Sequence, residues 1–369
     1  MKCLINLPYA LTSFFKKVSV FCFFLFFVTG TGCSQEPLEN QYKNNKISDL
    51  ALIYQGGVNR LDWTADQFLP YVVHEYQDGH KDWLFDGFLF LEFADGKGYC
   101  YATGYTKKNA RKVEWTWLLD RIFEKNKSLS ALDQCIQSQK EEIGAPNFKH
   151  QIVLGLPMPH PGQTDWGELN GKVMDFSNRQ DQLDVIYWYI SELMIRFKEA
   201  SYKNLELAGF YWVEEDVISS KDITIPLSAH IHAQKKQLYW IPYWKARGSD
   251  NWKELGFDIA YQQPNHFFNA SIPDKRLDEA CKFAVEHNMG MEMEFDQRAL
   301  YESKDSFYNR FVAYLDYFEK WDVFRKSAIA YYSGGSAILS MYKSDNIKDK
   351  EVMDRLAGLI AKRHKYVIK

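Results

Sequence analysis

Residues 290–296 read Gly-Met-Glu-Met-Glu-Phe-Asp, a short apolar run into which two glutamates are set. Glu292 and Glu294 are two residues apart, so in an extended strand they point to one face, while the methionines and the phenylalanine point to the other. In a closed barrel of parallel strands the outer face packs against helices and is apolar. The run therefore predicts a barrel strand with two carboxylates on its inner face, where they are costly unless paired or used.

A second run of this kind lies at residues 205–216, Leu-Glu-Leu-Ala-Gly-Phe-Tyr-Trp-Val-Glu-Glu-Asp. Here the alternation leaves two candidates open, because Glu215 shares its parity with Gly209 and Glu214 shares its parity with Trp212. A glycine is the easier residue to place in a crowded barrel interior. This consideration slightly favours Glu215 as the inward carboxylate.

Outward from these two runs, short apolar stretches alternate with longer amphipathic ones, in eight pairs. The predicted strands are Leu50–Tyr54, Gly87–Leu91, Gln151–Leu156, Leu205–Trp212, Leu238–Tyr243, Phe257–Tyr261, Gly290–Phe295 and Ser327–Tyr331. Eight successive βα pairs predict an α/β protein with a single (β/α)8 TIM barrel over residues 48–369. The stretch from Asn109 to Glu142 predicts an enlarged helical insertion after strand two.

The first residues are typical of an export signal. Lys16 and Lys17 precede an apolar run, residues 18–28, that is too short to span a bilayer, and Gly32-Cys33 resembles a bacterial lipoprotein processing site. We therefore expect a signal peptide over residues 1–32, a lipidated Cys33, and a polar tether over residues 33–47. The expected location is a membrane-anchored lipoprotein, in the outer membrane or at the cell surface, with the periplasmic face also open. A plain signal peptide or an uncleaved anchor is the alternative.

The composition argues against several partners. The chain has 45 basic and 48 acidic residues, and cleavage after residue 32 would remove only Lys2, Lys16 and Lys17. A mildly acidic protein has no electrostatic reason to bind nucleic acid or an anionic membrane face. Cys100, Cys135 and Cys281 match no zinc or redox spacing, so we expect no metal and no cofactor. Whether two of these cysteines form a disulfide is left open by the sequence.

In a βα barrel the residues that follow the strands gather at one rim, where active sites form. Aromatic residues make up 16% of the chain, more than the core requires, so some should line a cleft that stacks on sugar rings. We expect Trp166 and Trp244, which lie in polar loops, to do so. The full set of expected sugar-binding residues is Gln55, Glu92, His160, Trp166, Tyr211, Trp212, Trp244, Arg247, Gln262, Asn265, His266, Asp296 and Tyr332.

Carboxylates at the ends of strands four and seven resemble those of the clan of retaining (β/α)8 glycoside hydrolases. The resemblance implies that Glu215 (or Glu214) protonates the leaving oxygen and that Glu294 (or Glu292) attacks the anomeric carbon across about 5–5.5 Å. That clan usually carries asparagine before its acid/base glutamate, whereas this chain has Glu214 before Glu215. An inverting or a different mechanism therefore stays open.

Four segments carry a resemblance to a bacterial family of unknown function, number 4855. They are Leu-Ile-Tyr-Gln-Gly-Gly at 52–57, Lys-Asp-Trp-Leu-Phe-Asp-Gly-Phe at 81–88, Gly-Phe-Tyr-Trp at 209–212, and Glu-Met-Glu-Phe-Asp at 292–296. The resemblance implies an exported, glycosidase-like barrel protein of a kind common in Bacteroidetes, and it names no substrate.

Together these observations predict a lipid-anchored glycoside hydrolase that acts on a poly- or oligosaccharide. Neighbouring surface proteins for glycan utilisation are candidate partners. A catalytically inert barrel that only binds glycans is the alternative, since it would need the aromatic residues but not both acid clusters. A lyase or esterase would need a Tyr/His or Ser/His set that the spacing does not supply.

Overall fold

All eight predicted strands are present in the computed structural model, which describes residues 45–217 and 219–366. The predicted signal peptide, Cys33 and most of the tether lie outside the described residues. The barrel strands, labelled β1 to β8, are Asp49–Tyr54, Gly87–Leu91, His150–Leu156, Leu205–Trp212, Gln237–Trp240, Ile259–Gln262, Gly290–Glu294 and Ile329–Tyr332.

These strands form a closed barrel in which every neighbouring pair is parallel, and β1 pairs with both β2 and β8. The predicted (β/α)8 barrel is therefore confirmed. The strands are buried on both faces, with few exceptions, because one face meets the barrel interior and the other meets helices. The carboxyl ends of all eight strands consequently meet at one rim, which is called the mouth below.

Ten α-helices are described, and most of them cover the outside of the barrel. They are α1 Ala65–Val72, α2 Lys112–Ile122, α3 Ser128–Ile143, α4 Arg179–Ala200, α5 Lys221–Ala233, α6 Lys275–Glu286, α7 Tyr308–Lys320, α8 Val323–Lys326, α9 Ala337–Tyr342 and α10 Ile347–Tyr366. The segment between β2 and β3 contains α2, α3 and a short ribbon that pairs Tyr99–Cys100 with Lys108–Asn109.

The prediction of eight regular βα pairs is wrong at one place. Between β5 and β6 the described chain forms only a 3-10 turn, Ser249–Asn251, and no α-helix. Pro242 lies near the start of this segment, and Gly248 and Gly256 adopt φ values of 90° and 93°. A left-handed glycine ends a helix, so two of them leave no room for a helix of useful length.

Gly209 marks the most crowded point of the wall. The register of β4 against β3 shifts between Leu207 and Gly209, and a Cβ atom at Gly209 would lie 2.0 Å from the backbone oxygen of Gln237 in β5. Only glycine permits this approach. After the irregularity, Tyr211 and Glu215 share the inward parity of Gly209.

The opposite rim is closed by an ion pair from the last helix. Arg363 of α10 lies 2.8 Å from a carboxylate oxygen of Asp49 at the start of β1, and it donates to the backbone oxygens of Ser48 and Ser327 at 2.9 and 2.7 Å. The hydroxyl of Tyr331 donates to Asp49 at 2.6 Å. These contacts join both ends of the barrel sequence.

Within residues 45–217 and 219–366, no helix combines the length and apolarity of a membrane span.

Candidate active site

Two carboxylates at the mouth are connected through a pair of side-chain amides. Gln263, in the loop after β6, donates to Glu215 Oε1 at 2.6 Å. Asn265 donates to the oxygen of the same Gln263 amide at 3.0 Å and to Glu294 Oε1 at 3.4 Å. The loop after β6 therefore holds the glutamates that follow β4 and end β7 in a fixed relation.

Glu294 is surrounded by hydrogen-bond donors. Besides Asn265, it accepts from the hydroxyl of Tyr314 at 2.7 Å and from the backbone N–H of His266 at 3.4 Å. Burial raises the pKa of Glu294 above its usual range, and the charge of Glu215 raises it further, while the three donors oppose the rise. Burial outweighs these donors and raises the pKa of Glu294 to about 7, although each donor by itself favours the ionised carboxylate.

Glu215 is less enclosed by donors. It accepts from Gln263 and, at 3.1 Å, from the hydroxyl of Tyr105. Burial raises the pKa of Glu215, and these two hydrogen bonds lower it only in part. The pKa values of both carboxyl groups are thus raised, and the two groups differ in their donors, three at Glu294 and two at Glu215.

Glu292 lies one inward position before Glu294 on β7, at the floor of the mouth. Its side chain is buried, and among the described residues none donates a hydrogen bond to it. Burial raises its pKa well above the usual range, and the charges of Glu294 and Glu215 raise it further. The pKa values of Tyr54 and Tyr211 are raised by burial first, and the charges of Glu215 and Glu292 contribute to both. Tyr211, a predicted site residue, therefore lies at the site.

Glu214, kept as an alternative to Glu215, points away from the mouth. Its carboxylate accepts from the hydroxyl of Ser220 at the start of α5, and the same hydroxyl accepts from the indole N–H of Trp212 at 3.1 Å. Both residues have the outward parity of β4. The prediction of Glu214 and Trp212 as site residues is therefore wrong. Both side chains connect the barrel wall to α5.

Two polar residues predicted for the mouth have hydrogen-bond partners within the protein. The side-chain oxygen of Gln55 accepts from the hydroxyl of Ser128 in α3 at 3.1 Å. Glu92 accepts from Nε and from NH2 of Arg60, each at 2.9 Å. Arg60 is a mouth residue that sequence reasoning missed, because nothing in its local pattern separates it from any loop arginine.

The rings of the two tryptophans singled out as sugar platforms pack against other side chains, although the backbone N–H of Trp244 donates to Asn265 at 2.6 Å. Trp166 is 1% exposed and packs edge-on against Trp115 of α2, with centroids 5.5 Å apart. Trp244 is half-buried, with its ring against Phe283 of α6 and the guanidinium of Arg276 5.0 Å from its centroid. A polar sequence neighbourhood was misleading here, since the helices outside the barrel also bury aromatic rings.

In the loop after β6 the prediction named Gln262, whereas the neighbouring Gln263 is the residue that contacts an acid. Gln262 is buried and turns its amide N–H to the backbone oxygen of Gln263, whereas Gln263 faces Glu215. The ring of His266 bonds to Asp274 at 2.8 Å, and burial lowers the pKa of His266 to about 4, so only its backbone N–H serves the site. His160 is buried, which lowers its pKa. Asn265, predicted as a sugar-binding residue, lies beside Glu294, to which it donates at 3.4 Å.

Charged residues at the edge of the mouth form pairs. Arg247 bonds to Asp216 at 3.0 Å, and Asp216 also accepts from the hydroxyl of Tyr243 at 2.6 Å. Asp296 is bound by Arg298 at 2.7 Å and by the N–H of the same residue, so it caps the turn after β7. Arg247 and Asp296 are therefore edge residues whose charges are already compensated.

A continuous row of rings, here called the aromatic belt, lines the mouth beside the acids. It runs Tyr105, Phe93, Tyr54, Tyr332, Phe268, with successive centroids 4.4, 5.8, 5.4 and 5.6 Å apart. Its end members are exposed, Tyr105 by 47% and Phe268 by 38%. Tyr332 was predicted as a site residue, and Tyr54 and Phe93 adjoin predicted strand ends. Tyr105 lies between the two strands of the short ribbon, and nothing in its local sequence pointed to the mouth.

Among residues 45–217 and 219–366, one group of side chains has the spacing of metal ligands: Asp49, Asp86 and His364, at the rim opposite the mouth. Arg363 already supplies positive charge to Asp49 at 2.8 Å. The donor set therefore fits an ion-pair cluster better than a cation site.

Cys100, Cys135 and Cys281 are buried free thiols.

Comparison with solved structures gives distant similarities. A candidate alpha-L-fucosidase from Bacteroides thetaiotaomicron VPI-5482 has 12% identity over 86% of this chain and 94% of its own, with a TM-score of 0.42. An Anoxybacillus alpha-amylase has 12% identity over 88% and 79%, with a TM-score of 0.41. Tryptophan synthase from M. tuberculosis has 8% identity over 88% and 98%, with a TM-score of 0.38.

No curated protein matches the sequence. One family does match, over residues 49–358, from the first barrel strand into the last helix, and its description is domain of unknown function DUF4855. The match covers most of the chain and includes every strand of the barrel and each of the three inward glutamates. The protein belongs to the DUF4855 family.

Proposed function

We propose that this protein is a glycoside hydrolase in which Glu215 and Glu294 cleave the glycosidic bond of a poly- or oligosaccharide. The observation that carries the proposal is the amide bridge through Gln263 and Asn265, which fixes two carboxyl groups of different environment at one mouth. Two such groups, one protonated and one ionised, are the requirement for this reaction.

The roles follow from the hydrogen bonds. Glu294 has more hydrogen-bond donors than Glu215, so it is assigned the ionised role although burial raises its pKa to about 7: it either attacks the anomeric carbon or takes a proton from the attacking water. Glu215, whose pKa is raised by burial, donates its proton to the leaving oxygen as the glycosidic bond breaks. In both variants water supplies the hydroxyl of the new reducing end. If Glu294 is the nucleophile, Glu215 regains its proton from that water; if Glu294 is the base, it takes the proton of the water and exchange with solvent resets both groups.

The aromatic belt supports a glycan as the substrate. Aromatic faces stack on the apolar faces of sugar rings, and the belt has exposed rings at both ends, Tyr105 and Phe268. The hydroxyl of Tyr105 also reaches Glu215 at 3.1 Å. The belt therefore leads a chain of sugars directly to the proposed acid.

Export and lipid anchoring belong to the proposal and rest on sequence alone. The apolar run at residues 18–28 and the Gly32-Cys33 pair would direct cleavage before Cys33 and its lipidation. Labelling of cells with a radioactive fatty acid tests this. The wild type should incorporate label and a Cys33→Ser variant should not, and equal labelling of both would refute the anchor.

The enzymatic claim is tested with a glycan panel assayed for release of reducing ends. The wild type should cleave at least one glycan, and Glu294→Gln should lose roughly 10²–10⁴-fold in kcat/KM on it. Glu302→Gln is the matched control, because Glu302 is an exposed glutamate in the loop after the same strand. It should behave as the wild type.

Two results would count against the proposal. Binding of glycans by the wild type without any release of reducing ends would indicate a glycan-binding barrel rather than an enzyme. Cleavage that survives Glu294→Gln would show that the ionised group has been assigned wrongly.

A further inference from the structure

Glu292 has no role in the reaction just proposed, although it lies at the floor of the same mouth. It is 3% exposed, and no donor among the described residues satisfies its carboxyl group. Its neighbours differ in this respect, since Glu294 has three donors and Glu215 has two. The oxygens of Glu292 are not among the fully enclosed side-chain atoms that lack a partner, so the carboxyl group opens on the mouth, where a ligand can reach it.

The charges around Glu292 limit what that ligand can be. The arginines of the mouth are already paired: Arg60 with Glu92 at 2.9 Å, Arg247 with Asp216 at 3.0 Å, and Arg298 with Asp296 at 2.7 Å. Within residues 45–217 and 219–366, no lysine or arginine forms a salt bridge with the three inward glutamates. The floor of the mouth thus carries three carboxyl groups and no compensating cation.

Three kinds of sugar group could meet Glu292. A carboxylate or sulfate would be repelled by the glutamates, so an acidic sugar does not fit. A hydroxyl could be bound equally well by a neutral amide, without the cost of placing a third acid beside two others. An ammonium group supplies both the hydrogen-bond donors and the positive charge that the floor lacks.

Building on the proposed function, we propose that Glu292 binds the free amino group of the substrate, and that the sugar held at the floor of the mouth is a non-acetylated amino sugar. Glu292 is then a specificity residue. It discriminates because a neutral sugar gives its carboxylate no charged partner and an acidic sugar is repelled by it.

A proton should move when this sugar binds. Burial raises the pKa of Glu292, and the charges that Glu294 and Glu215 carry when ionised raise it further, which favours the protonated form in the empty mouth. The other titratable groups that face it are phenols, and these stay neutral because their pKa values are raised: Tyr54, Tyr105, Tyr211, Tyr314 and Tyr332. Binding of an ammonium group should therefore favour release of a proton from Glu292 into the buffer.

Calorimetric binding tests this without requiring cleavage. The ligands are glucosamine, galactosamine and mannosamine, each with its N-acetyl and its plain hydroxyl counterpart, and the β-1,4-linked glucosamine, N-acetylglucosamine and glucose oligomers. At least one amino sugar should bind about 10–100-fold more tightly than its matched pair, the value of a charge-assisted hydrogen bond of roughly 1.5–3 kcal/mol. Glu292→Gln should abolish that preference, and Glu302→Gln should keep it.

The inference is overturned if no amino sugar binds, if the neutral or acetylated sugars bind as tightly, or if Glu292→Gln keeps the preference. The comparison of ligands on the wild type holds even if the variant fails to fold. An amine preference without cleavage of any glycan would refute only the hydrolase. Cleavage without an amine preference would refute only the role of Glu292.

Discussion

Glu294 accepts three hydrogen bonds, and the one from the hydroxyl of Tyr314 is the shortest. The other two come from the loop after β6. The hydrogen bond from Tyr314 favours the ionised carboxylate, so its removal in Tyr314→Phe should raise the pKa of Glu294. Glu294 acts only when ionised, so activity would be lost on the acidic side. A hydrogen bond to a charged group is worth roughly 1.5–3 kcal/mol, which moves the acidic limb of the kcat/KM profile up by about one to two pH units.

The control for this prediction is Tyr317→Phe, which removes a hydroxyl from the same helix but not from the site. Its pH profile should match the wild type. An acidic limb that stays in place in Tyr314→Phe would mean that Glu294 is not the ionised group.

At single residues the sequence was informative where strand parity decided the matter. The alternation around Glu292 and Glu294 predicted their shared face, and the space needed at Gly209 favoured Glu215 over Glu214. The prediction failed where a side chain lies beyond a strand end, as for Gln262 and Gln263. There the chain leaves the pleat, so the period of two no longer fixes direction.

Among the elements, α10 has the clearest structural task, which is to close the rim opposite the mouth. Arg363 is 4% exposed in its side chain and bonds to Asp49 and to several backbone oxygens. Arg363→Ala would leave a buried aspartate uncompensated, so the free energy of unfolding should fall by about 3–5 kcal/mol. Urea denaturation measures this change.

Arg355 provides the comparison on the same helix. It pairs with Asp316 and Glu319 on an exposed surface, so Arg355→Ala should cost at most about 1 kcal/mol. Equal losses for both variants would show that the closing contact at Asp49 contributes no more than a surface ion pair.

Element prediction succeeded for strongly periodic segments and failed for an irregular one. The strands at Gly87–Leu91 and Leu205–Trp212 have the predicted bounds, and the predicted helix at 180–200 begins at Arg179. No α-helix follows β5, because the glycines at 248 and 256 break the segment that regular alternation would have filled. Local periodicity reports buried faces and carries no information on such turns.

For the whole molecule, the order of strands brings the site together. Glu215 follows β4, Gln263 and Asn265 follow β6, and Glu294 ends β7, so closure of the barrel alone places them at one mouth. This much was predictable, because a βα repeat fixes the direction of every strand. The aromatic belt was not, since its rings come from four different loops and strand ends whose contacts depend on tertiary packing.

The most direct test of the central claim uses the two adjacent glutamates after β4, which are chemically identical and face opposite ways. On the glycan that the wild type cleaves best, Glu215→Gln should lose roughly 10²–10⁴-fold in kcat/KM. Glu214→Gln, whose carboxylate bonds to Ser220 outside the mouth, should stay within a few-fold of the wild type. Equal losses, or the greater loss in Glu214→Gln, would contradict the account.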